Sequence, residues 1–163
     1  MMTGLLDNRH NTSQEDTGRL LDAGIQYLQG KEYTLAFLCL DRTGKRNLCT
    51  LYNKALCCYH IGWFEECRLL LLEAERQLLP GIDTDLRNLP EMFARWEYGQ
   101  NTAFNPMPDG APPVAAAVQV LKLKAENAYR MRLYSEVKSV AVRLGGKYKW
   151  INELIRQIND GDL

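Results

Sequence analysis

The chain has no surplus of positive charge: twenty Lys and Arg stand against twenty Asp and Glu, for a formal net charge of zero. A nucleic-acid or anionic-membrane binder neutralises phosphates with a basic excess, so neither partner is expected. Nowhere does an apolar run reach the roughly 18 residues that read as a membrane span. Segment 1–16, MMTGLLDNRHNTSQED, lacks a basic start and a long apolar centre, which predicts a polar arm rather than a secretory leader. The chain has two histidines and shows no Gly-rich phosphate loop, nucleophile elbow or paired-carboxylate signature. An enzyme is therefore not expected, and neither is a cofactor. Proline is missing from most of the chain, because all six fall at positions 80, 90, 106, 108, 112 and 113. On either side of that stretch helical patterns run uninterrupted.

What remains is the material of one 163-residue domain, 46% hydrophobic and able to bury a core. Its five cysteines are Cys39, Cys49, Cys57, Cys58 and Cys67. Being odd in number and spaced within helical patterns, they predict buried free thiols in a reducing cytoplasm rather than disulfides. A zinc site is disfavoured: Cys57 and Cys58 would point roughly 100° apart on a helix, and no paired-ligand spacing accompanies them. Cys57 and His60 are near enough on a helix to touch, but nothing around them suggests an oxyanion hole or an orienting acid.

The strongest pattern is an internal repeat. Residues 23–30 align with 54–61, a displacement of thirty-one that pairs Tyr33 with Phe64, Ala36 with Cys67 and Leu40 with Leu71. A third copy lies at Ala125, Tyr134, Val137 and Ala141, displaced by seventy from Ala55, Phe64, Cys67 and Leu71. Each unit has a small residue in a first helix, then an aromatic that opens a second helix bearing another small residue. Small side chains let two antiparallel helices approach closely. Gly30 and Gly62 stand where a helix end takes a left-handed residue.

This arrangement resembles the tetratricopeptide repeat. Gly24, Tyr27, Tyr33 and Ala36 match that family's pattern in the first unit, and Ala55, Gly62, Phe64 and Ala74 match it in the second, with Pro80 behind. The third unit keeps Ala125, Tyr134 and Ala141, but has Ala128 where an aromatic is usual and Val137 where a small residue is. The resemblance implies an all-α superhelical array of about three units. It also implies a concave groove that binds proteins or peptides.

The predicted organisation is a polar arm over 1–16, two units over 17–79, a proline-rich insertion over 80–113, a third unit over 114–144 and a capping helix over 147–159. Helices are expected over 17–29, 31–42, 47–61, 63–79, 114–130 and 133–144, with a short connector at 43–46. The capping helix presents Tyr148, Ile151, Leu154, Ile155 and Ile158 on one face and Asn152, Glu153, Arg156 and Gln157 on the other. Within the insertion a helix is expected over 90–98, then a loop over 99–113. That loop is either a packing insert or a partner-binding segment, since long loops inside compact domains are uncommon.

First helices of successive units line the groove of such an array. They would contribute Leu21, Ile25 and Leu28, then Tyr52, Asn53, Leu56, Tyr59 and His60, then Lys122, Glu126, Tyr129 and Arg130. Aromatics and Arg are the usual anchors of protein interfaces, so the binding face is assigned to Tyr52, Asn53, Leu56, Tyr59, Lys122, Glu126, Tyr129 and Arg130. Some tetratricopeptide domains clamp a terminal carboxylate with basic and Asn residues. Leu21, Ile25, Asn53, Gln119 and Leu123 stand at those places here, and only Asn53 fits. Asn53 is instead suited to bond the backbone of an extended peptide. A narrower resemblance is to the small three-repeat chaperones of type III secretion. Self-assembly is the rival: Leu69-Leu70-Leu71-Leu72 points around most of a helix, so Leu70 and Leu72 need cover from the 90–98 helix or from a second copy.

Overall fold

The computed structural model describes residues 14–78, 80, 104–146 and 148–161. Among these residues the chain is all-helical, with seven α-helices and no strand. They are α1 (Gln14–Gln29), α2 (Tyr33–Arg42), α3 (Leu48–Ile61), α4 (Phe64–Glu75), α5 (Pro113–Arg130), α6 (Tyr134–Leu144) and α7 (Lys149–Gly161). The helix expected over 90–98 and most of the 1–16 arm lie outside the described residues.

Three helical hairpins, α1–α2, α3–α4 and α5–α6, close with one backbone geometry. The Glu32, Trp63 and Leu133 N–H groups donate to the Tyr27, Cys58 and Ala128 carbonyls, each at 2.8 Å. These triplets sit at the same displacements, thirty-one and seventy, that the side-chain pattern shows. The left-handed residue in each turn is Lys31 (φ 61°), Gly62 (φ 94°) or Arg132 (φ 60°). Gly30 therefore does not take the role expected of it. Its N–H still bonds Gln26 O at 3.0 Å in ordinary helical fashion, and the repeat register puts Lys31 opposite Gly62.

Each helix packs on the next in order, and α1, α3, α5 and α7 also touch successively. Close approach is most acute at Gly24, where an added Cβ would stand 2.8 Å and 2.9 Å from Leu40 side-chain carbons. Ala36, Ala55, Cys67 and Ala125 are fully buried, as the repeat requires, and so is the larger Val137. One apolar cluster joins α1–α4 to Met107 and the first turns of α5, and a second joins α5, α6 and α7. Lys124 reaches Glu75 at 2.7 Å and Arg68 reaches Glu136 at 2.6 Å, tying α4 to α5 and α6.

Helix α4 is shorter than the 63–79 pattern suggested. After Glu75 the backbone tightens, with the Gln77 and Leu78 N–H groups donating three residues back to Ala74 and Glu75. The Gln77 side chain turns to the Arg46 carbonyl at 2.6 Å. The leucine run also resolves differently. Leu71 is buried, Leu70 is half-buried on the first cluster, and Leu72 is half-buried beside Lys124 and Asn127 of α5. Leu69 is the one left 52% exposed.

Candidate functional site

Residues 104–112 form a strap that lies against α3 and α5 and enters α5 through Pro112 and Pro113. Its central feature is a two-way amide pairing. Asn53 Nδ2 donates to the Met107 carbonyl, and the Met107 N–H donates to Asn53 Oδ1, both at 2.8 Å. Cys49, one turn earlier on α3, donates its Sγ–H to the same carbonyl at 3.1 Å. The Asn53 amide thus engages main-chain groups that every residue but proline carries. The Met107 side chain is fully buried in the first cluster.

Three residues earlier, Phe104 enters an aromatic slot. Its ring lies 5.4 Å from Tyr59 and 6.4 Å from His60, and Lys122 Nζ stands 5.1 Å from its centroid. His60 stacks on Tyr33 of the preceding hairpin at 4.2 Å. Between the two anchors, the Asn105 carbonyl accepts from the Tyr52 hydroxyl and from Gln119 Nε2, each at 3.4 Å.

Burial governs the charges here. Lys122 is buried, which lowers its ammonium pKa to about 8 against an opposing pull from Glu126. Burial raises the Glu126 carboxyl, with Lys122 and Arg130 acting the other way. Burial likewise lowers the His60 imidazole, assisted by Lys31. Burial pushes the Cys49 and Cys57 thiols up to about 12 and Cys58 to about 11. A thiol held protonated is a poor nucleophile and a poor metal ligand. Among the described residues no group of three His, Cys, Asp or Glu could hold a metal ion, and no helix is long and apolar enough to cross a membrane.

Of the residues assigned to the binding face, Tyr52, Asn53, Tyr59 and Lys122 converge on the strap, and Leu56 is buried in the cluster that holds Met107. The expectation that Tyr52, Asn53 and Leu56 look into an open trough is corrected: all three are fully buried, with Tyr52 and Asn53 bonded to the chain's own segment. Glu126 and Arg130 lie beyond the slot, where exposed Arg130 is hydrogen-bonded to Tyr59. Tyr129 is turned away, packing on Tyr134 at 5.9 Å within the second cluster. Leu21 and Leu28 are core residues and Ile25 packs against them, so the α1 positions act in packing. Sequence reasoning missed Cys49, Gln119 and Phe104. The available signal was polar Asn53, Gln119 and Lys122 on otherwise apolar helices, which need a partner. Neither the protein-family models, nor the curated proteins, nor the solved structures offer a match to the chain.

Proposed function

We propose that this chain is a non-enzymatic cytoplasmic scaffold, a short tetratricopeptide-like superhelical array whose inner face receives an extended segment of another protein. The repeated turn geometry at the displacements of the side-chain pattern supports the array. One observation carries the binding assignment: the Asn53 amide pairs with both main-chain groups of Met107. That chemistry fixes the register of a strand without demanding a particular sequence. Such bonds contribute about 0.5–1.5 kcal/mol each, so they orient more than they hold. Affinity would come from the aromatic slot of Tyr59 and Lys122, where burying one ring is worth roughly 1.5–3 kcal/mol.

The test is a photoreactive benzoylphenylalanine placed at position 59, in the slot, and separately at Val142, which is 82% exposed on α6. In cells producing each form, position 59 should form an adduct with another polypeptide and position 142 should not. Absence of adducts at 59, or equal adducts at both places, counts against the groove.

A further inference from the structure

The strap fits the inner face unevenly. At Met107 both main-chain groups are paired and the side chain is fully buried. Two residues earlier, at Asn105, α5 offers a second amide, Gln119. It makes only half of the equivalent pairing: Nε2 donates to the Asn105 carbonyl at a long 3.4 Å, while Oε1 meets no protein donor among the described residues. Gln119 is 4% exposed, so that oxygen faces the interior. An unmade buried acceptor is normally avoided. Past Met107, the Asp109–Gly110 turn borders an open cleft of about 260 Å³ against the start of α3.

We propose that the strap is a stand-in for a guest. The external ligand is then an extended segment of another protein bearing an aromatic residue and, three residues on, methionine or a similar unbranched apolar residue. It displaces residues 104–111 and closes both amide clamps, Asn53 and Gln119. The proposal rests on the groove reading above and adds the ligand's chemistry and the need for displacement. Phe104 and Met107 are the two side chains the face grips, and Pro106 and Pro108 keep the backbone between and beyond them extended before it binds. Because the strap leads directly into α5, its effective concentration at the face is high. A guest must therefore bind better than the strap does, and the half-made Gln119 clamp leaves room for that.

The probe is the synthetic peptide TAFNPMPDGAP, residues 102–112 supplied in trans, titrated by calorimetry. A full-length variant carrying Phe104→Ala and Met107→Ala vacates both anchor sites. Peptide should bind it at least tenfold more tightly than it binds the unaltered chain. Replacing Phe or Met by Ala in the peptide should in each case weaken binding about tenfold. No binding to the vacated variant overturns the proposal, as does binding indifferent to the two peptide side chains. Should adducts from position 59 persist in either case, the groove reading survives without it. If the vacated variant loses its helical circular dichroism, the unaltered chain decides through hydrogen exchange. The Met107 amide should exchange at least a hundredfold faster than the Leu56 and Cys57 amides of α3; equal rates make the strap part of the core and end the proposal. Light scattering should show a monomer. A dimer abolished by the strap substitutions would mean that a second copy fills the groove, which also overturns it.

Discussion

Helices α1 and α3 hold the same place in their hairpins yet are buried differently. Helix α1 buries one stripe, Thr17, Leu21, Gly24 and Leu28, and its other faces are more open. Helix α3 buries every residue from Cys49 to Cys58, and α5 does the same from Ala115 to Leu123. Helix neighbours account for much of the difference, since α3 packs on α1, α2, α4 and α5 while α1 packs chiefly on α2. The strap adds to it, with bonds to Cys49, Tyr52 and Asn53 on α3 and to Gln119 on α5. A helix covered on all sides has no polar face to spare, so the polar residues it keeps must find partners inside. Asn53 finds one in Met107, and Lys54 reaches Asp41 at 2.9 Å while lying over Phe37. Gln119 finds half of one.

The comparison breaks most readily with a charge. Leu51 and Leu56 point roughly 140° apart on α3, and both are fully buried. Leu51→Asp and Leu56→Asp should each destabilise by about 4 kcal/mol in urea unfolding. Gln26→Asp on the exposed side of α1 should stay within about 0.5 kcal/mol. An equal response of the two helices would remove the distinction.

Alkali should act on the same buried helix. The folded thiols of Cys49, Cys57 and Cys58 titrate near 12, 12 and 11, above the ordinary 9.0, and burial raises Cys67 in the same direction. Their contribution is complete below about pH 9 and is lost as pH climbs toward the folded values, because the unfolded chain releases those protons first. Stability should fall between pH 9 and 12, and Cys57→Ala should flatten that fall by about 1.4 kcal/mol per pH unit. A fall unchanged by Cys57→Ala contradicts this.

Smaller effects sharpen the picture within α1. Gly24→Ala pushes a methyl group into Leu40 and should cost about 1–3 kcal/mol. Gly18→Ala, with nothing within 4 Å, should stabilise by about 0.5–1 kcal/mol through helix propensity. Smallest of all, Lys31→Gly and Arg132→Gly should raise thermal stability by roughly 0.5–1 kcal/mol each, because both residues occupy left-handed backbone. Gly62→Ala should lower it for the same reason.

Much of the fold was legible because the hairpins are local. The alternation of small and aromatic residues from Ala23 to Leu71, and again from Ala125 to Ala141, placed all three turns. The closing helix showed its apolar stripe from Tyr148 to Ile158 and its polar face at Asn152, Glu153, Arg156 and Gln157, with the burial that pattern implies. Asn53 was read from the sequence as a binder of a guest's backbone, and the backbone it meets is the chain's own at Met107. What the strap would do was not legible. Phe104 meets Tyr59 and Met107 meets Asn53 across more than forty residues, and no local periodicity encodes such a pairing. The left-handed Lys31 and Arg132 escaped notice because side chains other than glycine carry no mark of that conformation. The early end of α4 depends on Gln77 bonding Arg46, again a contact distant in sequence.

The central claim, that the inner face receives an extended polypeptide through main-chain pairing at Asn53, is tested most directly by selection. A library of displayed twelve-residue peptides is panned against the unaltered chain, Asn53→Ala and Tyr59→Ala, each checked for retained helical circular dichroism. Peptides enriched on the unaltered chain should share an aromatic residue three positions before methionine or leucine, and both variants should lose them. No enrichment, or peptides that both variants retain in full, would contradict the account.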